Sequence, residues 1–127
     1  MARVLVVDDD DAQRFLIDVI LQRAGHACVS AGSATEALKI LMRDNAFDVI
    51  MTDVRMPEMD GVRFVKELNQ HHPSIPVIMM SVHGSTDWIS QAKEHGAVSF
   101  LAKPFIAPQV VAIVRAATTN PTRHWAN

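Results

Sequence analysis

Five side chains in this sequence have the chemistry to act together on a phosphoryl group: Asp8, Asp9, Asp53, Ser81 and Lys103. Each stands at or just past the end of an apolar run. Arg3 to Val7 leads into Asp8-Asp9-Asp10-Asp11, Phe47 to Thr52 delivers Asp53, Pro76 to Met80 is closed by Ser81, and Val98 to Leu101 stops just before Lys103-Pro104. Two unit negative charges about 4 Å apart repel by roughly 4 kcal/mol at an effective dielectric near 20, so three gathered carboxylates need cationic relief. Lys103 supplies one positive charge. A hard divalent cation supplies more, and Mg2+ suits a few carboxylates that leave positions for water and a phosphoryl oxygen. In that setting Asp53 is a carboxylate nucleophile toward phosphorus, while the metal, the Lys103 ammonium and the Ser81 hydroxyl stabilise charge on the equatorial oxygens.

Bringing these residues together requires a scaffold whose strands end at one edge, and the order of the chain predicts one. Arg3 to Val7 reads as a strand buried on both faces. Ala12, Phe15, Leu16, Val19, Ile20 and Arg23 recur at helical spacing, with an aspartate available as N-cap and Gly25 just past the end. Ala27 to Ala31 is a weak second strand, and Ser33-Ala34-Thr35-Glu36 is a capping-box signature for a helix reaching about Asp44. The third strand carries Asp53. Pro57 then fixes its own φ and biases Met56 away from helix, and Asp60-Gly61 offers a cap before a helix containing Phe64, Val65 and Leu68 that ends before His72-Pro73. Pro76 to Met80 is a fourth strand, about 86 to 94 a fourth helix stopped by Gly96, Val98 to Leu101 a fifth strand, and Pro108 to Ala117 a last helix with the proline at its first position. Five strands alternating with five helices through short connections imply an α/β fold, a parallel sheet covered on both faces by right-handed crossovers.

With 127 residues, 49% of them hydrophobic and 20% charged, the chain has the material for one domain and one compact core. The division predicted is a domain over 1–118 and a polar tail or linker over 119–127. A net charge of -2 without a Lys/Arg cluster argues against direct nucleic-acid binding by this domain. Cys28 is the single cysteine, which excludes an internal disulfide and favours a reducing, cytoplasmic compartment. Neither a signal peptide nor a membrane span is legible, because the first apolar run is short and meets four aspartates.

The chain resembles the receiver domain of two-component response regulators over nearly its whole length. The resemblance is carried by Val6-Val7-Asp8-Asp9, by Thr52-Asp53-Val54-Arg55-Met56-Pro57 with Met59-Asp60-Gly61, by Ser81, by Gly96-Ala97 and by Lys103-Pro104-Phe105. It implies a flavodoxin-like sheet of order 2-1-3-4-5. Phosphotransfer to Asp53 from a sensor histidine kinase or phosphotransfer protein follows from the same resemblance. So do Asp9 and Asp53 as direct Mg2+ ligands, the Arg55 backbone carbonyl as a third, and Asp8 acting mainly through water. Readout is then expected on the face of the fourth helix, fifth strand and last helix, toward an output domain or a second copy. Self-phosphotransfer and self-dephosphorylation are the only chemistry expected, and no membrane partner is. The central motif and Val82-His83-Gly84-Ser85 are similar to receivers attached to transcriptional activators. A cis Lys103-Pro104 bond is expected in the loop that brings the lysine in.

The sequence departs from the family pattern at two positions. Ser81 stands where threonine is commoner, which keeps the donor and loses a methyl group. Phe100 occupies the aromatic switch position without a phenolic hydroxyl, and Arg55 and His83 flank the expected phosphoryl position. Asp10 and Asp11 read as capping or solvated residues, and Met51, Met56, Met59, Met79 and Met80 as packing. Trp88 fits either an exposed anchor or a half-buried ring. A haloacid-dehalogenase-like phosphatase would need an acid where Arg55 stands, and an FMN carrier would need a phosphate loop where four aspartates stand. The remaining alternative is a non-phosphorylated adaptor that keeps the fold as an interaction module; it predicts loss of an acid or of Lys103, and none is lost.

Overall fold

Alternate residues of the central strands face two separate apolar layers, which is why those strands read as continuous apolar runs. In the computed structural model, which describes residues 1–54, 61–81, 90–91 and 93–119, five strands form one sheet. They are β1 (Arg3–Val7), β2 (Ala27–Ala31), β3 (Val49–Asp53), β4 (Val77–Ser81) and β5 (Ser99–Ala102), in the order β2-β1-β3-β4-β5 with every pair parallel. The expected order therefore holds. Val4, Val6, Val49, Met51, Ile78 and Met80 pack with α1 (Asp11–Arg23) and α4 (Ala107–Thr119) through Ile17, Leu21, Val110 and Val114. Leu5, Val7, Ile50, Val77 and Met79 pack on the other face with α2 (Ala34–Arg43) and α3 (Gly61–His71) through Ala37, Leu41, Phe64 and Leu68.

Local chemistry sets the helix ends. Asp10 caps α1, its carboxylate accepting from the N–H groups of Ala12 at 3.0 Å and Gln13 at 3.2 Å. Gly25 follows the helix at φ +88°, a conformation that favours glycine. Ser33 caps α2 by accepting from the Glu36 N–H at 3.1 Å, but the glutamate reaches back to the Gly32 N–H at 2.9 Å rather than to Ser33 itself.

Four helices are defined among the described residues where the sequence predicts five. The expected helix over 86–94 falls largely outside those residues, although 90, 91, 93 and 94 are helical. Strands β4 and β5 each begin and end one residue later than expected, because their mutual register pairs Ser81 with Ala102 and so takes both into the sheet. The last helix starts at Ala107, with Pro108 second, since the Gln109 side chain accepts the Ile106 N–H at 2.8 Å and closes the first turn early. At its other end α4 runs to Thr119, past the expected boundary, with the Thr118 hydroxyl donating to the Val114 carbonyl at 2.9 Å. No helix among the described residues is long and apolar enough to cross a membrane.

Candidate acidic site at the carboxyl edge of the sheet

Strand register brings the acids together before any side chain is considered. Val7 pairs with Thr52, so the next residue on each strand, Asp8 and Asp53, leaves the same edge side by side. Asp53 pairs with Met80, which puts Ser81 one step beyond it, and Ser81 pairs with Ala102, which puts Lys103 one step further along the edge. The Lys103–Pro104 bond is cis, as expected.

Side chains complete the cluster. Asp8, Asp9 and Asp53 each offer a carboxylate oxygen, all three lying within 4.8 Å of one another. The Lys103 ammonium donates to Asp8 Oδ2 at 2.8 Å and lies 3.5 Å from Asp53 Oδ1. Asp8 is fully buried, Asp53 half-buried and Asp9 exposed. The two Asp8 oxygens are both engaged, Oδ2 by Lys103 and Oδ1 by the Asp10 N–H at 3.0 Å. Asp9, by contrast, makes no hydrogen bond or ion pair among the described residues.

Burial opposes charge at both Asp53 and Lys103, and it prevails at the first but not at the second. Burial pushes the Asp53 carboxyl above its ordinary pKa; Lys103 and the Val54 N–H, which donates to Oδ1 at 2.9 Å, pull it down, and neighbouring Asp8 pushes it up again. For Lys103 burial would lower the pKa, but the Asp8 hydrogen bond and the charges of Asp53 and Asp8 outweigh it and raise it. One lysine facing several carboxylates keeps its charge, whereas a buried carboxylate sharing one lysine is short of positive charge. A hard cation with ligand distances of about 2.1 Å holds its oxygens roughly 3 to 4 Å apart, so this oxygen-only donor set fits such an ion after small side-chain adjustments.

Sequence reasoning missed Arg14, and read Gly61 only as part of a helix cap and of the receiver motif, not as a shaper of the pocket. Gly61 heads α3, its N–H donates to the Val54 carbonyl at 2.7 Å, and a Cβ there would lie 2.5 Å from both Val54 Cα and that carbonyl oxygen. Position 61 can approach the end of β3 this closely only because it has no side chain. Arg14 donates from Nη1 to the Asp8 carbonyl at 2.5 Å and pairs with Asp11. The only local signal for Arg14 is its spacing of three from Asp11 on a helix.

Other expected site residues divide cleanly. Ser81 is buried at the end of β4, and its carbonyl accepts the Lys103 N–H at 2.7 Å. Phe100 is half-buried on β5 against the α2 and α3 layer. Arg55, His83 and Trp88 lie outside the described residues.

Residues 4–115 match the response regulator receiver domain family. The chain belongs to that family. As a receiver of a two-component system it accepts a phosphoryl group from a kinase. Among its relatives, the DNA-binding transcriptional regulator NtrC of Escherichia coli is 38% identical over 117 residues, covering 92% of this chain and 25% of that protein. The receiver thus spans about a quarter of the length of the curated relatives it matches. A receiver domain protein from Clostridium thermocellum superimposes with a TM-score of 0.89 at 30% identity, covering 95% of this chain and 97% of that one. The beryllofluoride-activated NtrC4 receiver domain dimer does so with a TM-score of 0.88 at 35% identity, covering 94% and 98%.

Proposed function

We propose that Asp53 is the phosphoacceptor of this receiver, taking the group from a sensor histidine kinase or phosphotransfer protein in a Mg2+-dependent reaction. One observation carries the reading: the Asp53 carboxylate stands at a strand end in a cluster with two further carboxylates, 3.5 Å from the half-buried Lys103 ammonium. A carboxylate oxygen of Asp53 attacks the phosphorus of a phosphohistidine, a P–O bond forms as the P–N bond breaks, and the imidazole leaves with that electron pair. Lys103 neutralises a developing phosphoryl charge, and Ser81 donates a hydrogen bond to another oxygen. Asp9, Asp53 and the Arg55 carbonyl would hold Mg2+, with Asp8 acting through water, and the ion would supply the remaining neutralisation. The Asp9 carboxylate, without a partner among the described residues, and the Asp8 carboxylate, with both oxygens engaged, support that division. Water attacking the same phosphorus returns Asp53 and phosphate, so the domain's only chemistry is on itself.

Readout then belongs to the face of the 86–94 segment, β5 and α4. A phosphoryl oxygen draws Ser81 toward it, space opens beside β5, and the half-buried Phe100 ring turns inward on apolar burial alone. An output domain, as the longer relatives suggest, or a second copy is the partner on that face. No nucleic-acid contact is assigned to this domain itself. A cytoplasmic location agrees with the unpaired Cys28, and residues 119–127 act as tail or linker.

Incubation with acetyl phosphate or phosphoramidate and Mg2+ tests the assignment. Intact-mass analysis is expected to find one added phosphoryl group on the wild type and none on Asp53→Asn. An adduct persisting in that variant places the nucleophile elsewhere.

A further inference from the structure

We propose that Arg14 is a positioning residue for the acidic site: it clamps the loop that presents Asp9 and thereby raises the domain's affinity for a divalent cation. The inference rests on the reading of Asp9 as a cation ligand. Arg14 is a charged residue near the start of α1, yet its side chain is only 19% exposed. Nη1 donates to the Asp8 carbonyl at 2.5 Å, and Nη2 pairs with Asp11, itself 91% exposed. The guanidinium also lies along the Gly32 backbone, where a Cβ would come within 3.3 Å of Nη1.

The carbonyl that Arg14 holds belongs to the peptide joining Asp8 to Asp9. Fixing that peptide fixes the direction in which the Asp9 side chain leaves the loop. On either side the backbone is already tied down: the Asp8 N–H donates to the Ala31 carbonyl at 3.1 Å, and Asp10 caps α1. Between them the Asp9 side chain makes no hydrogen bond or ion pair among the described residues, so its orientation depends on the backbone. Arg14 supplies a side-chain constraint on the Asp8 carbonyl, and Asp11 orients Arg14 in turn.

Charge and position act in opposite directions here, which makes the proposal testable by sign. A cation beside three carboxylates opposes the entry of another cation, so if charge were its role, removing Arg14 would tighten metal binding. A clamp does the reverse. Neighbours that orient metal ligands commonly contribute about 10- to 100-fold to affinity.

The test is a Mn2+ titration of the 127-residue chain, following free Mn2+ by electron paramagnetic resonance well below each variant's melting temperature. Arg14→Lys keeps the charge and loses the planar fork; its Kd is expected to rise roughly 5-fold, and that of Arg14→Gln roughly 10-fold. Asp11→Asn is expected to weaken binding by a smaller factor in the wild-type background and not at all in Arg14→Gln. Should Arg14→Gln fold poorly, Arg14→Lys decides alone. Kd values equal to or below that of the wild type in the Arg14 variants overturn the clamp. Absence of saturable Mn2+ binding by the wild type overturns instead the reading of Asp9 on which it rests.

Discussion

At the amino edge of the sheet, Arg3 pairs with Asp44 at 2.9 Å, donates to the Ala46 carbonyl at 3.0 Å and stacks 4.2 Å from the centre of the Phe47 ring. Its own N–H is taken by Asp48 at 2.7 Å, and the neighbouring Ala2 N–H by His26 at 2.9 Å. At the carboxyl edge, Asp8 and Asp53 share the Lys103 ammonium, and Asp9 stands beside them with no ion pair among the described residues. Both edges expose the same kind of backbone, and both carry acids. They differ in balance: the amino edge pairs its charges locally and holds strand ends in place, whereas the carboxyl edge keeps an excess of negative charge among the described residues that a cationic ligand would relieve. Stability is built at one end and responsiveness at the other, joined by strands of five residues or fewer.

The comparison is open to breaking from either side. Lys103→Ala carries the largest expected effect, because it leaves the Asp8 carboxylate buried without its cation; a loss of about 3 kcal/mol in metal-free chemical denaturation is expected. Added Mg2+ is expected to recover much of that loss, and a variant as stable as wild type without metal would mean that the carboxyl edge is not short of positive charge. Gly61→Ala comes next, at roughly 2 kcal/mol, since the added Cβ has to displace the Val54 backbone. Because that shift also moves the end of β3, phosphorylation by a small-molecule donor is expected to slow several-fold, which a time course of intact mass reads directly. Arg3→Ala is expected to cost the least, about 1 kcal/mol, as its salt bridge and ring contact are partly solvated. Its phosphorylation rate is expected to match the wild type, and a slowed rate would deny that the two edges are independent.

Legibility in the sequence followed the same division. Strands buried on both faces announce themselves as apolar runs, so the residue that ends each run, and with it the acid cluster, was readable from local pattern alone. Register was less so: β4 and β5 took in Ser81 and Ala102, a polar and a small residue, because pairing between strands rather than hydrophobicity sets where they stop. The roles of Arg14 and Gly61 in the pocket were not readable. Arg14 acts on a backbone carbonyl, which has no sequence signature, and the demand on Gly61 comes from close approach of the Val54 backbone across a turn. A pattern reports what a residue prefers; neither of these roles is a preference.

Most directly, the claim that the carboxyl edge is kept short of positive charge is tested by thermal melts of wild type and Asp9→Ala, each with and without saturating Mg2+. A ligand bound only by the native state raises the melting temperature in proportion to its occupancy, so Mg2+ is expected to stabilise the wild type and leave Asp9→Ala unmoved. Without metal, Asp9→Ala is expected to melt no lower than wild type, because removing one of three crowded carboxylates relieves repulsion. A clear drop in the metal-free melting temperature of Asp9→Ala, or an equal Mg2+ shift in both proteins, would contradict it.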